Sequence, residues 1–204
     1  MDFSKLATEE VLTATKAALE KNNYKVIIAE SGSQAKQMAL DLVPKGAEVF
    51  ALSSTTLQQT GITKEIDESG NYDSVRARLN KLDRATQGRE MKRLGAAPEY
   101  ALGSAHAVTQ DGKILIATNT GSQIPADSYG ADHIIWVVGT QKIVSDEQEG
   151  KKRIYEYVLP LESVRLNKAY NISTGSYVSQ ILTLYRAYPE GRITVIFVKE
   201  ALGF

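Results

Sequence analysis

Cysteine is missing from the 204-residue chain, which excludes disulfides, a thiol nucleophile and any cysteine-held zinc or iron–sulfur cluster within it. Histidine is nearly as scarce. The two present, His106 and His133, form neither an HxxxH nor an HxH arrangement, so no metal site is expected. No Gly-x-Gly-x-x-Gly follows a strand and no Walker sequence occurs, which removes the common nucleotide cofactors. No cofactor is therefore assigned to this chain. Charge of one sign is lacking too: 24 basic and 24 acidic residues cancel, so no whole-protein field recruits nucleic acid or an anionic membrane. The longest apolar runs, Ile134 to Val138 and Ile193 to Val198, fall far short of the roughly 20 residues that span a bilayer. The amino terminus has no basic and apolar regions of a signal peptide, and a cytoplasmic location is the expectation.

The residues present alternate between helical and strand patterns. Ala7, Val11, Ala14 and Ala18 recur at helical spacing between Ser4 and Lys21. Lys25 to Glu30 reads as a buried strand, Ser31-Gly-Ser33 as turn and cap for a helix through Val43, and Glu48 to Leu52 as a second strand before the hydroxyl-rich Ser53 to Thr56. This α-β-α-β-α order predicts an α/β fold with a mostly parallel sheet flanked by helices, whose ligands lie beyond the carboxyl ends of the strands. Thr63 to Tyr72 reads as a polar loop, and Asp73 to Leu94 as two helices around Thr86 to Gly88. Ala101 to Thr109 and Lys113 to Thr118 flank the turn signal Gln110-Asp-Gly112. His133 to Val138 and Arg192 to Lys199 are further strands, and Glu147 to Val158 is a helix that Pro160 should stop. One domain over residues 1–204 is expected at this length.

Several segments, in order and spacing, resemble the LUD (lactate utilization domain) family along nearly the whole chain. They are Pro44 to Val49, Ser54 to Leu57 with Gly61, Ala107 to Gly112, Thr120-Gly121, Tyr129-Gly130, Val137 to Gly139 with Lys142 to Val144, Arg153, Pro160 with Arg165, and Arg192 to Phe204. The resemblance implies a ribose-phosphate isomerase/CoA-transferase-like fold and a part in cytoplasmic oxidation of lactate to pyruvate alongside iron–sulfur partner proteins. The chain also departs from the usual pattern. Thr118 stands where relatives usually carry Asp, Ser122-Gln123 where they carry Asn-Arg, His106 where they carry Asn, and Leu52-Ser53 where they carry two glycines. The cysteines that many short relatives hold before the final strand are replaced here by a Tyr, Leu and Ser rich segment.

Candidate site residues gather at the expected rim. Lys142 follows a strand and Gly139, where its ammonium can meet a phosphate or carboxylate; the alternative is a lysine packing its stem beside the sheet. Thr118, Thr120, Gly121 and Gln123 form a loop of hydroxyls and backbone donors without a base, which suits recognition. Thr109, in the matching Ala107 to Gly112 segment, is counted with them. Ser53, Ser54, Thr55 and Thr56 suit either an anion or ordinary helix capping. Glu30 is the candidate general base or nucleophile, with pairing to a rim lysine as its bland alternative.

Arg76 to Arg93 carries a local excess of basic residues but no interleaved aromatics, and reads as solvated helix faces. Tyr170, Tyr177, Tyr185 and Tyr188 suit either an interface, including one between copies of the chain, or core packing. Three functional expectations follow. The first is a LUD protein that binds a small anionic metabolite and works with iron–sulfur subunits. The second is a free-standing isomerase/CoA-transferase-like enzyme acting on a sugar phosphate or acyl-CoA. The third is a degenerate structural subunit.

Overall fold

A strand such as Ile193-Thr-Val-Ile-Phe-Val198 has almost no polar alternation, which suits the middle of a parallel sheet covered on both faces. The computed structural model describes residues 2–171 and 173–204, without the side chain of Tyr170. It places that strand in the interior of the larger of two sheets. The strands β1 (Lys25–Ala29), β2 (Glu48–Ala51), β3 (Asp73–Ser74), β4 (Tyr100–Gly103), β7 (His133–Gly139) and β10 (Ile193–Val198) run in the order β1-β10-β7-β4-β2-β3. Every pairing in this sheet is parallel.

Successive side chains of a strand point to opposite faces, and β7 divides accordingly. Ile134, Trp136 and Val138 join a core with α1 (Glu9–Lys21) on one face. Ile135 and Val137 join a core with α2 (Gly32–Asp41), α3 (Thr55–Gln59) and α4 (Ile62–Glu68) on the other.

The smaller sheet is built around a hairpin. In it β5 (Ala107–Thr109) and β6 (Ile114–Thr118) pair antiparallel, β8 (Ile143–Val144) joins β5 in parallel, and β9 (Gln180–Leu184) joins β6 antiparallel. Gly112 closes the turn at φ +85°, and a Cβ there would lie 2.8 Å from the backbone of Ala18 on α1. The hairpin is thereby pressed onto the first helix. The other side of this sheet packs Ala107, Leu115 and Val144 against Ile154, which follows α7 (Glu147–Arg153).

Four readings from sequence are corrected. Thr63 to Tyr72 is not a loop, because α4 buries Ile62 and Ile66, an i, i+4 pair among charged neighbours. Ala101 to Thr109 is not one strand: β4 belongs to the large sheet and β5 to the small one, with Ser104 to His106 crossing between them. Pro160 does not end the helix begun at Glu147. The chain widens into a π-turn over Ile154–Val158 and continues as α8 (Leu159–Tyr170), with the proline in its first turn, where no N–H is needed. The first helix starts at Glu9 rather than Ser4, capped by the Thr8 side chain accepting from the Val11 amide. The pair α5 (Val75–Leu79) and α6 (Gly88–Ala96) occupies the region expected to hold two helices.

A second π-turn, Ala126–Gly130, lies before β7. Its Gly130 admits no side chain, since a Cβ would sit 1.8 Å from the Ala96 carbonyl oxygen. The same turn buries Asp127, whose Oδ1 accepts from the Trp136 indole N–H at 3.2 Å while Oδ2 has no partner. Burial pushes this carboxyl up to about 7, against the partial offset of the Trp136 bond and Arg192. A raised carboxyl pKa favours the native state fully below the ordinary value of 3.8 and loses that contribution as pH rises through about 7. Asp127→Asn is therefore expected to flatten the stability profile. Urea denaturation should show the unmodified protein losing up to roughly 4 kcal/mol relative to this variant between those limits. Parallel profiles would contradict a neutral buried Asp127.

Candidate functional site

The carboxyl ends of β2, β4 and β7 open into a cleft of about 300 Å³ between the two sheets, the usual ligand position in parallel sheets. Its walls come from Leu52 to Thr56 after β2, Ser104 to His106 after β4, Ala117 and Thr118 at the end of β6, and Asn119, Thr120, Ser122 and Gln123 after it. Ile154, Val158, Leu159, Glu162 and Arg165 close one side, and Ser176 to Val178, Phe204 and Arg76 complete it.

Lys142 lies at the centre of this arrangement and is 2% exposed. The short helical turn after β7 carries it inward. Its Nζ donates to Thr56 Oγ1 at 3.0 Å and to Ser104 Oγ at 3.1 Å. Among the described residues no carboxylate pairs with it. Burial pulls the amine down to about 7, and the neighbouring Arg153 adds to the effect.

Arg153 is itself fully buried. One of its terminal nitrogens donates to the His106 carbonyl at 2.5 Å, its guanidinium lies 5.2 Å from the Tyr157 ring centre, and Nε and the other terminal nitrogen have no partner. Burial lowers even this guanidinium to about 10.

His106 is neutral for the same reasons. Burial first, then Lys142 and Arg153, lower it to about 3. Its Nδ1 accepts from the Ala117 backbone N–H at 3.2 Å, so the ring proton resides on Nε2. Among the cleft residues Glu162 is the one acid, and it makes a two-point pair with Arg165, both contacts at 2.6 Å. Arg76 donates to the Ala51 carbonyl at 3.1 Å and to Ser53 Oγ at 3.2 Å. Cations thus outnumber anions in a wall otherwise made of hydroxyls and amides.

Most of the candidates named from sequence meet here. Ser53, Ser54, Thr55, Thr56, Thr118, Thr120, Gln123 and Lys142 all line the cleft. Ser54 also caps α3, accepting from the Leu57 amide. Gly121 is not a wall residue; at φ +77° it turns the loop and donates its N–H to Thr118 Oγ1 at 3.1 Å.

Three candidates lie elsewhere. Glu30 sits exposed at the end of the edge strand β1 and pairs with Lys199 at 3.0 Å. Thr109 is buried in the hairpin, bonding the Asp111 carboxylate and accepting the Lys113 amide at 2.9 Å. Gly139 serves close packing, because a Cβ would lie 2.1 Å from Gln141 Oε1 and 2.7 Å from the Glu200 carbonyl. Of the tyrosines, Tyr177 reaches the cleft, while Tyr185 and Tyr188 are exposed away from it; the Tyr170 side chain lies outside the described residues.

Sequence reasoning missed the parts played by Arg76, Ser104, Arg153, Glu162 and Arg165. Arg153 and Arg165 belonged to the matching family segments, which was the available signal. Arg76 was masked by its basic neighbours, of which Arg78 is paired with Glu48 and Asp73 at the surface. Among the described residues no helix is long and apolar enough to cross a membrane.

The segment after β10 presses on the cleft from behind. The Leu202 carbonyl accepts from Thr56 Oγ1 at 3.2 Å and from the Gln141 side-chain amide at 2.9 Å. Gly139→Ala would push Gln141 and this segment apart. Overpacking of this kind costs about 1–3 kcal/mol, so a melt of the variant should show that loss; an unchanged melting temperature would mean that Gln141 moves aside freely.

No curated protein matches the chain. Among solved structures, the chain is similar to a DUF162 family protein from Deinococcus radiodurans, at 16% identity and a TM-score of 0.57, covering 95% of this chain and 99% of that one. At that identity the likeness speaks for the fold alone. The LUD domain family model matches residues 12–198, and the chain belongs to the LUD domain family.

Proposed function

We propose that the cleft binds a small anionic metabolite, in the size class of a hydroxy or oxo acid, and that the protein serves cytoplasmic lactate utilization beside iron–sulfur proteins that carry the electrons. Membership of the LUD family supports a role related to lactate utilization. The observation that carries the binding reading is the donor-rich wall of the cleft: the Arg76 and Arg165 guanidiniums and the Lys142 amine stand among hydroxyl and amide groups, with Glu162 the one acid among the lining residues. Such a wall is complementary to a carboxylate, which accepts from arginine, serine and threonine donors alike. The volume, about 300 Å³, stands at the small end of ligand pockets. The partner reading draws on the sequence, which holds no cysteine to ligate a cluster.

In this arrangement the carboxylate is met by Arg76 and the Ser53 to Thr56 turn, with Thr118, Thr120 and Gln123 on the opposite wall. The polar function next to it then approaches Lys142 at the floor. A thermal-shift series with lactate, pyruvate, sugar phosphates, folates and CoA esters tests the reading. A ligand at a hundred times its dissociation constant should add about 2.7 kcal/mol of stability. Arg76→Gln removes a charged donor worth about 1.5–3 kcal/mol and should weaken binding at least about tenfold. Absence of a shift with every anion would overturn the binding reading. Native pull-down tests the partner reading, with co-purification of an iron–sulfur protein as the expected result.

A further inference from the structure

We propose that Lys142 is an amine nucleophile that condenses with the carbonyl carbon of a 2-oxo acid held in the cleft, forming an imine. The proposal rests on the small-anion reading of the same cleft and gives it a substrate class.

Hydrogen-bond counting around Nζ carries the argument. An ammonium has three N–H groups to satisfy, whereas a neutral amine has two and a lone pair. Nζ has two acceptors, Thr56 Oγ1 at 3.0 Å and Ser104 Oγ at 3.1 Å. Both hydroxyl protons are engaged elsewhere, that of Thr56 on the Leu202 carbonyl at 3.2 Å and that of Ser104 on the Ala105 carbonyl at 3.4 Å. The two oxygens therefore accept from Nζ and fix both N–H directions. Among the described residues the third position on the nitrogen is left without an acceptor, on a residue that forms part of the cleft wall. A buried ammonium lacking both a third acceptor and a carboxylate is costly.

The second cation works in the same sense. Arg153 is fully buried nearby and no carboxylate balances it among the described residues. A cationic neighbour in a dry site favours the neutral, nucleophilic form of a lysine, and the amine is held down to about 7 by burial and this guanidinium. Lysines shifted by burial in this manner suit Schiff-base formation.

The step balances without oxidant or reductant. The Nζ lone pair forms the C–N bond while the carbonyl π pair moves to oxygen, which takes one of the two N–H protons. The carbinolamine then loses its hydroxyl with the remaining N–H proton as water, leaving C=N. Neutral His106, with its proton on Nε2, supplies a donor in the same wall for the departing oxygen.

The experiment is reductive trapping: intact protein is incubated with pyruvate and cyanoborohydride, with lactate as the control that lacks a carbonyl, and the adduct is located by peptide mass mapping. The expected result is one adduct per chain on Lys142, none with lactate, and none on that peptide in Lys142→Arg, which has no amine to condense. Trapping should accelerate as pH rises through about 7, whereas ordinary lysines stay protonated until about 10. Thr56→Val, which removes one acceptor, should slow it about tenfold. The unmodified protein alone decides the location, so the proposal stands or falls even where a variant does not fold. Adducts spread over surface lysines, or a thermal shift with pyruvate and no adduct, overturn the imine while leaving anion binding intact. No adduct, together with no shift with any of the anions, overturns both.

Discussion

Two basic side chains, Lys142 and Arg153, are taken out of water, and among the described residues no carboxylate balances them; much of the surrounding structure can be understood as accommodating this. Removing a charge from water costs several kcal/mol unless it is paired or neutralised. The protein offers dipoles in place of a counter-ion: two hydroxyl oxygens for the amine, a backbone carbonyl and the face of Tyr157 for the guanidinium. These groups come from α3, the Ser104 to His106 crossing after β4 and the π-turn after α7. The loops between the sheets are thus held together by solvation demands as much as by apolar contact.

The meeting of two sheets makes that arrangement possible. A single parallel sheet would leave its strand ends open to solvent on both sides. Here the chain leaves β4 after Gly103, crosses through Ser104 to His106, and enters the small sheet at β5. The crossing residues form one wall of the cleft, and the hairpin behind them excludes water from Lys142. Gly112 and Gly130 fix the two attachments, to α1 and to Ala96 respectively, at distances where no side chain fits.

The legible parts of the fold were those written in local patterns. β1, β2, β7 and β10 are short apolar runs between turn residues, and all four appear where expected. The hydroxyls of Ser53 to Thr56 were placed at a strand end by the α/β alternation, while Lys142 and the Thr118 to Gln123 loop drew also on the resemblance to the LUD family. What escaped was long-range. α4 shows only Ile62 and Ile66 as apolar signals in a charged stretch, and β9 is a short, half-buried run of mixed composition whose partner, β6, lies far back in the sequence. The widening at Ile154–Val158 that carries the helix past Pro160 has no local sequence mark. The site followed the same division. Glu30 had the right residue type at a strand end, but its strand is at the edge of the sheet, and edge position is a property of topology rather than of neighbours in sequence.

The place of β10 in the large sheet has a consequence for synthesis. This strand follows every other in the chain, yet it sits between β1 and β7, and the Leu202 carbonyl beyond it anchors Thr56 and Gln141. While the chain emerges from the ribosome, β1 has no partner in that sheet, and the β7 exit remains wet. Lys142 is then an ordinary solvated ammonium. Gly203, beyond that strand, lies against the nitrogen, where a Cβ would come within 3.3 Å of Nζ, so the burial that gives Lys142 its character is completed by a segment made after every strand of the sheet.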